Sequence, residues 1–383
     1  MRGAYLEIDL RRIAENVALL QERCGDSSLM AVVKANGQGH GAVPVAQVAL
    51  RAGARWLGVA TVSEAEELRS AGIKAPIHVL GLAAPEEYEA AALQHISVTV
   101  STPQDVDAAN RAAACAGKTL PVHLKVDTGL GRIGVAAEAV EPLARRIASS
   151  SDLEFEGVFT HLAAAGEDEL FTDQQIARFT VALRTLENDG LLPPWRHILN
   201  SAGILTRGSV PGTNLVRSGM ALYGFNPDGL SRPYPGFQAA LSLHARVNLV
   251  KHVPPGTPIG YSCTYVTERE MQIVSLCLGY ADGYPRGLSG RGLVLIGGVP
   301  WRVAGLVSMD QMTVAVDPDF PVVIGEDAVL IGRQGDVEIR AEELARPLDT
   351  IVHEIVVGLS TRLPRVYRSA EILSAPQTIA NLP

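Results

Sequence analysis

The chain has 383 residues and a mass of 40.6 kDa, enough for one large α/β barrel or for two domains of ordinary size. Its 41 acidic residues outnumber 33 Lys plus Arg, for a formal charge of −8, which argues against nucleic acid and against an anionic membrane surface as partners. The composition, 47% apolar and 19% charged, is that of a soluble globular protein. No apolar stretch approaches the ~20 residues that span a bilayer, no signal-peptide pattern opens the chain, and four scattered cysteines without a CxxC pair fit a reducing cytoplasm.

In chain order, residues 10–17 place Ile13 and Val17 on one helical face. Apolar runs at 29–33, 56–60, 77–80, 96–100, 122–126, 155–159 and 197–199 read as strands. Helical patterns lie between them. One covers 61–71, with a Ser63 cap, Glu64, Glu66 and Glu67 in its first turns and Gly72 as its stop. Another runs from Thr102-Pro103 to Ala116-Gly117. Strands alternating with helices predict a parallel sheet, and seven or eight such units in a row suggest a closed barrel. The competing open, doubly wound sheet would normally bring a GxGxxG turn after its first strand, and nothing of that form opens this chain.

The character changes near residues 223–227. A Pro/Gly-rich stretch leads to Pro235-Gly236. Strand-like runs follow at 241–250, 271–278, 292–296, 312–316 and 328–331, separated by Gly, Pro and Asp turns. The expected division is therefore an α/β barrel over 1–225, a β-rich domain over 226–370 and a loosely held tail over 371–383.

Several segments carry chemistry. Val32-Val33-Lys34-Ala35-Asn36-Gly37-Gln38-Gly39-His40-Gly41 ends an apolar strand in a lysine and follows it with three closely spaced glycines. At the C-terminal end of a barrel strand a lysine is partly desolvated, and a neutral amine there can form an imine with an aldehyde cofactor or a carbonyl substrate. A solvated lysine before a flexible loop is the plain alternative. Lys125 and Asp127 share one strand face at period two, and a glycine turn then delivers Arg132, a natural partner for a carboxylate or phosphate; an internal Lys125–Asp127 salt bridge is the plain reading. His161 and His197 stand at strand ends, either as hydrogen-bonded core residues or, for a planar imidazole, stacked on a cofactor ring. The spacing of the histidines offers no compact cluster, and no metal is expected. The Ser201 hydroxyl and the backbone N–H groups of Gly219 and Met220 could hold an anion. Tyr261 and Tyr280 sit in glycine-rich turns, as core or interface residues or as phenolic acid/bases.

Together these segments resemble the bacterial alanine racemases, within the fold-type III pyridoxal-phosphate (PLP) enzymes. The resemblance rests on 31–41, 125–134, Thr160-His161, 197–201, 279–286, Ser308-Met309-Asp310-Gln311 and 363–367, in that order, and covers roughly residues 3 to 368. It implies an eight-stranded α/β barrel followed by a β domain, and a head-to-tail homodimer in which the β domain completes the partner's site. It implies PLP on Lys34, with Arg217 at the pyridine nitrogen, His161 against the ring, and Ser201, Gly219 and Met220 at the phosphate. Gln38 takes the place of a phosphate-contacting tyrosine. Arg132 assists the PLP phenolic oxygen and the substrate carboxylate, with Met309, Tyr280 and Asp310 also about the substrate. Lys125 is a candidate for carbamylation. Lys34 and Tyr261 of the other subunit would be the two bases of a racemisation, most simply of alanine.

Four departures from the family pattern bear on the pocket: Gln38 for tyrosine, Thr361 for a frequent tyrosine, Leu306 for arginine, and Gly260-Tyr261-Ser262 for Ser-Tyr-Gly. They leave open a racemase of broader or different specificity in a secondary pathway, another PLP-dependent reaction at Cα, and a PLP-binding protein with little catalysis.

Overall fold

The computed structural model describes residues 3–227 and 234–368; the expected tail at 371–383 lies outside them. Eight parallel strands form the first architecture: Ser28–Val32, Trp56–Val59, Ile77–Leu82, Ser97–Val100, Leu120–Asp127, Leu153–Phe159, Trp195–His197 and Leu215–Ser218. Each pairs with the next. The eighth returns to the first with Leu215 opposite Ser28 and Ser218 opposite Ala31, so the sheet closes into a barrel. Burial on both faces explains the near-continuous apolar runs: Ser97–Val100 is buried at all four positions and Leu120–Asp127 at seven of eight.

Helices cover the barrel from outside, and several start on side-chain caps. Pro103–Ala116 begins with a capping box between Thr102 and Asp105 and ends at left-handed Gly117. Val62–Ser70 is capped by Thr61, whose hydroxyl accepts from the Glu64 N–H at 3.3 Å. The cap is thus two residues earlier than Ser63, because Thr61 already has the extended backbone of an N-cap.

The second architecture is a nine-stranded sheet built on the long strand Leu241–Val253, which pairs antiparallel with Met271–Leu276 and Asp327–Gln334. One of its strands comes from the other end of the chain. Ala4–Asp9 lies between Leu241–Val253, antiparallel, and Arg365–Arg368, parallel. Its alternation is clear, with Ala4, Leu6 and Ile8 buried. Glu7 pairs with Arg368 at 2.5 Å, and the Tyr5 hydroxyl donates to Asp327 at 3.1 Å.

The N-terminal boundary therefore differs from the sequence division at 1–225. By its contacts the chain up to Leu10, and the short piece 38–40, belong with the β unit; 11–37 and 41–238 form the barrel unit. No described helix is long and apolar enough to cross a membrane.

Candidate active site

Lys34 follows the first barrel strand directly. The turn that carries it is left-handed: Ala35, Asn36, Gly37 and Gln38 have φ of 53, 52, 61 and 48°. For L residues this conformation costs roughly 1–2 kcal/mol apiece, and specific bonds hold it. The Gly37 N–H donates to the Val33 carbonyl at 2.8 Å, and the Ala42 N–H to the Asn36 side-chain oxygen at 2.9 Å. The Ala35 N–H donates to one oxygen of Glu64 and the Ala60 N–H to the other, both at 2.7 Å. Tyr223, buried, ties the strand itself by donating to the Val32 carbonyl at 3.0 Å. Gly39 is fixed by crowding, since a Cβ would stand 2.4 Å from the Val356 carbonyl oxygen.

Asp127 organises the loop to Arg132 in a similar way. Its carboxylate accepts from the Gly129 N–H at 2.9 Å and the Gly131 N–H at 3.1 Å. No ion pair joins it to Lys125, so the plain alternative of a salt bridge gives way to a loop-building role. Lys125 is buried, with Nζ 4.1 Å from the Phe159 ring centroid. Desolvation holds its pKa well below the usual lysine range, and the charges of Arg217 and Arg132 push the same way.

Arg217, also buried, donates to His197 Nδ1 at 2.8 Å, His161 Nδ1 at 3.2 Å, and the carbonyls of Thr160 and Ile198 at 2.7 and 3.1 Å. Burial draws it down to about 9, still above neutral pH. His161 is held well below the ordinary histidine value by desolvation, then by the charges of Arg217, Lys125, Arg132 and Lys34. Lys34 keeps an exposed side chain, yet desolvation around its amine lowers its pKa, with Arg132 adding and Glu64 opposing.

Four basic side chains therefore surround one imidazole, two of them lysines whose amines burial pushes toward the neutral form. The carboxylates that oppose them, Glu64 and Asp127, have their oxygens engaged by backbone N–H groups. Two arginines and two basic amines, against two carboxylates already engaged, make a site for an anion. Beside it, Ser201 Oγ accepts from the Gly219 N–H at 3.0 Å and the Ala221 N–H at 3.4 Å, at the start of the short helical turn Met220–Tyr223. The barrel thus brings Lys34, Lys125, Arg132, His161, Ser201, Arg217, Gly219 and Met220 into one set.

The β unit carries the other predicted residues. Tyr261 is 71% exposed, in a turn where Gly260, Ser262 and Cys263 have φ of 75, 57 and 48°. Ser262 thus takes a left-handed backbone that suits the glycine of the family pattern. Tyr280 and Met309 meet through the backbone: the Tyr280 N–H donates to the Ser308 carbonyl and the Ala281 N–H to that of Met309. Asp310 accepts from Arg362 at 2.6 Å. Gln38 is buried, and its Oε1 has no hydrogen-bond partner. Leu306 is half-buried and Thr361 exposed.

Sequence reading missed three residues behind Arg217: His78, His123 and Glu156. His78, His123 and His197 form a buried cluster whose ligand atoms lie within 4.8 Å of one another, and His123 reaches Glu156 at 3.0 Å. The expectation of no compact histidine cluster is corrected here. These side chains come from the third, fifth and seventh strands, as barrel layering requires, and no local spacing announces that.

Glu64→Ala is expected to destabilise the protein by about 1–3 kcal/mol, since two backbone donors lose a charged acceptor. Glu64→Gln should cost less, because its amide oxygen can still serve one of them. Urea unfolding of the two variants measures the difference.

Known proteins share this arrangement over nearly the whole chain. The alanine racemase N-terminal domain model matches residues 8–227, and the C-terminal domain model matches 240–367. An alanine racemase of Symbiobacterium thermophilum is 47% identical over 369 residues, covering 96% of this chain and 97% of its own. The crystal structure of an alanine racemase from Streptomyces lavendulae, which produces D-cycloserine, superposes with a TM-score of 0.89 at 40% identity, over 96% of this chain and 97% of that one. A histidine racemase from Leuconostoc mesenteroides superposes at 0.88 with 32% identity, over 96% and 98%. With both domain models matched in order and whole-chain likeness to these relatives, the chain belongs to the alanine racemase family.

Proposed function

We propose that the chain is a PLP-dependent amino-acid racemase acting on alanine as a homodimer, with Lys34 and Tyr261 of the partner subunit as its two bases. The observation that carries this reading is the set of basic groups gathered around His161. PLP brings a phosphate and a phenolic oxygen, and an amino-acid substrate brings a carboxylate. The donor set therefore fits the cofactor: Ser201 with the N–H groups of Gly219 and Met220 at the phosphate, Arg132 at the phenolic oxygen and substrate carboxylate, and His161 beside the ring. Gln38, with its unsatisfied amide oxygen, is proposed as a further cofactor contact, and Met309, Tyr280 and Asp310 as groups about the substrate. When bound, PLP supplies an electron sink that weakens the Cα–H bond of an attached amino acid.

The chain's own residues do the rest. Desolvation favours a neutral Lys34 amine, which both attaches the cofactor and holds a proton on Nζ. Lys34 takes the proton from the D isomer on one face, and the Tyr261 hydroxyl of the partner subunit delivers one on the other; the roles reverse for the L isomer. Arg217 can only donate hydrogen bonds, so at the ring nitrogen it opposes protonation. Racemisation needs only a moderate sink, and a guanidinium there limits it. The exposure of Tyr261, 71%, and of Met309, 54%, supports a partner copy covering that surface. Lys125, buried and without an ion pair, is proposed to be carbamylated, which would turn a buried cation into an anion able to orient Arg132.

Three results test this reading. Lys34→Ala should abolish racemisation and covalent cofactor attachment together; borohydride reduction with peptide mapping decides, and an adduct on another lysine sinks the assignment. Tyr261→Phe should slow proton abstraction from L-alanine far more than from D-alanine, read as single-turnover loss of Cα deuterium from each isomer. Labelled bicarbonate should give a carbamate carbon signal in the wild type that Lys125→Met lacks, and a signal unchanged by that substitution would remove Lys125 from the account.

A further inference from the structure

Arg217 is the start of a hydrogen-bonded chain that runs away from the mouth of the barrel. Its Nη1 lies 2.8 Å from His197 Nδ1, His197 Nε2 lies 2.9 Å from His123 Nδ1, and His123 Nε2 lies 3.0 Å from Glu156 Oε2. Glu156 stands three residues before Phe159 on the sixth strand, roughly 10 Å nearer its N-terminal end. Its side chain is 14% exposed, whereas that of His123 is fully buried.

The protons on this chain have one consistent arrangement. A guanidinium has donors and no acceptor, so His197 Nδ1 must be bare. A neutral imidazole then carries its proton on Nε2, which donates to His123. His123 Nδ1 must therefore be bare, and its proton sits on Nε2, donated to the carboxylate. A doubly protonated His123 would donate to His197 Nε2 and leave His197 with no nitrogen for its own proton, or with one aimed at the guanidinium. The arrangement therefore has a direction, with every donor pointing toward Glu156.

The far end is built to keep this order. Ser97 Oγ also donates to Glu156 Oε2, so the accepting oxygen is held from two sides. Gly157, next in sequence, makes room for the His123 ring: a Cβ there would stand 2.3 Å from His123 Nδ1. His78 stacks on His123 with centroids 4.1 Å apart. The Thr99 hydroxyl donates to the Val79 carbonyl at 2.7 Å, so it accepts from His78 Nε2, 3.0 Å away, and His78 Nδ1 is bare. A metal ion among the three histidines would have to displace the His197–His123 bond or stand against the Arg217 guanidinium, so the cluster is better used as a chain than as a ligand set.

We propose that Glu156 is a positioning residue for Arg217: through His123 and His197 it terminates a hydrogen-bonded chain whose direction fixes the orientation of the guanidinium and supplies its remote counter-charge. The functional consequence rests on the proposed place of Arg217 at the cofactor ring; the chain itself does not. If Glu156 no longer accepts, His123 is free to turn its proton toward His197. His197 then presents Nδ1–H to Arg217, and donor meets donor.

The test uses the PLP-loaded, full-length protein. Neutron diffraction from the deuterated wild type should place deuterons on Nε2 of His123 and of His197 and none on either Nδ1. A deuteron on either Nδ1, or a metal ion bound between the rings, overturns the chain. In Glu156→Gln the amide oxygen still accepts while the charge is gone; in Glu156→Leu both are lost. The expected order of kcat is wild type, then Gln, then Leu, with Leu reduced about tenfold or more, a factor that 1.36 kcal/mol in the barrier supplies. KM should change far less, and the absorbance spectrum of the bound cofactor should shift in the same order as kcat.

Unchanged kcat and spectrum in both variants would sink the positioning role. So would a loss that follows only melting temperature or cofactor occupancy, with the spectrum of the loaded fraction unmoved. Should the Leu variant fail to fold, the Gln variant, which keeps the packing, decides on the same readouts. A wild type with the expected deuterons but no racemase activity would refute the proposed reaction and leave the chain standing.

Discussion

A guanidinium buried without a carboxylate against it is the constraint on which the barrel interior depends. Arg217 can only donate, so every group around it must accept. The carbonyls of Thr160 and Ile198 do so by backbone position, at the ends of two neighbouring strands. His161 and His197 do so through bare Nδ1 atoms. That demand fixes two tautomers directly and a third, that of His123, at one remove. Burial and the surrounding cations hold His161 and His197 well below the ordinary histidine range, so electrostatics and hydrogen-bond logic require the same neutral state. An uncharged histidine is what a site already crowded with cations can tolerate.

The closed barrel makes such an arrangement affordable in packing terms. Adjacent strands put their ends at one mouth, so groups from Lys34 to Met220, nearly 190 residues apart, need no long loops to meet. The local devices are alike. Glu64 and Asp127 each direct a carboxylate at backbone N–H groups, one to hold the left-handed turn after Lys34 and the other to shape the loop to Arg132. Both are anions beside cations that they do not neutralise by contact. The turn after Lys34 is costly on its own, and it persists because bonds on either side over-determine it.

Much of this was legible in the residues. Lysine at a strand end followed by glycines, and Lys125-x-Asp127 followed by Gly129, Gly131 and Arg132, are local patterns, and local patterns survive reading one residue after another. The alternation of apolar runs and capped helices gave the barrel for the same reason. The strand Ala4–Asp9 escaped because its partners lie at 241–245 and 365–368, far outside any local pattern. Glu156 and the histidine cluster escaped because their neighbourhood exists only after the strands close. His78, His123 and His197 stand at one depth on alternate strands, a coincidence of register with no counterpart in spacing.

The same geometry explains why the barrel site favours an anion. The basic groups acting on His161 repel one another in a medium less polar than water, which holds Lys34 and Lys125 toward their neutral forms beside Arg132 and Arg217. Two carboxylates already engaged by backbone donors offset part of this. The remainder is a store of unfavourable energy that any well-placed anion lowers, and a group bound only by the folded state adds its binding free energy to stability. A site of this kind is held ready at a cost to the empty fold, and the cost is what makes it selective: an uncharged ligand of the same shape would leave the repulsion in place. Selection by charge in the barrel is therefore separate from selection by size. Of the residues that depart from the family pattern, Leu306 and Thr361 belong to the β unit, apart from the basic groups of the barrel, whereas Gln38 is the one proposed at the cofactor.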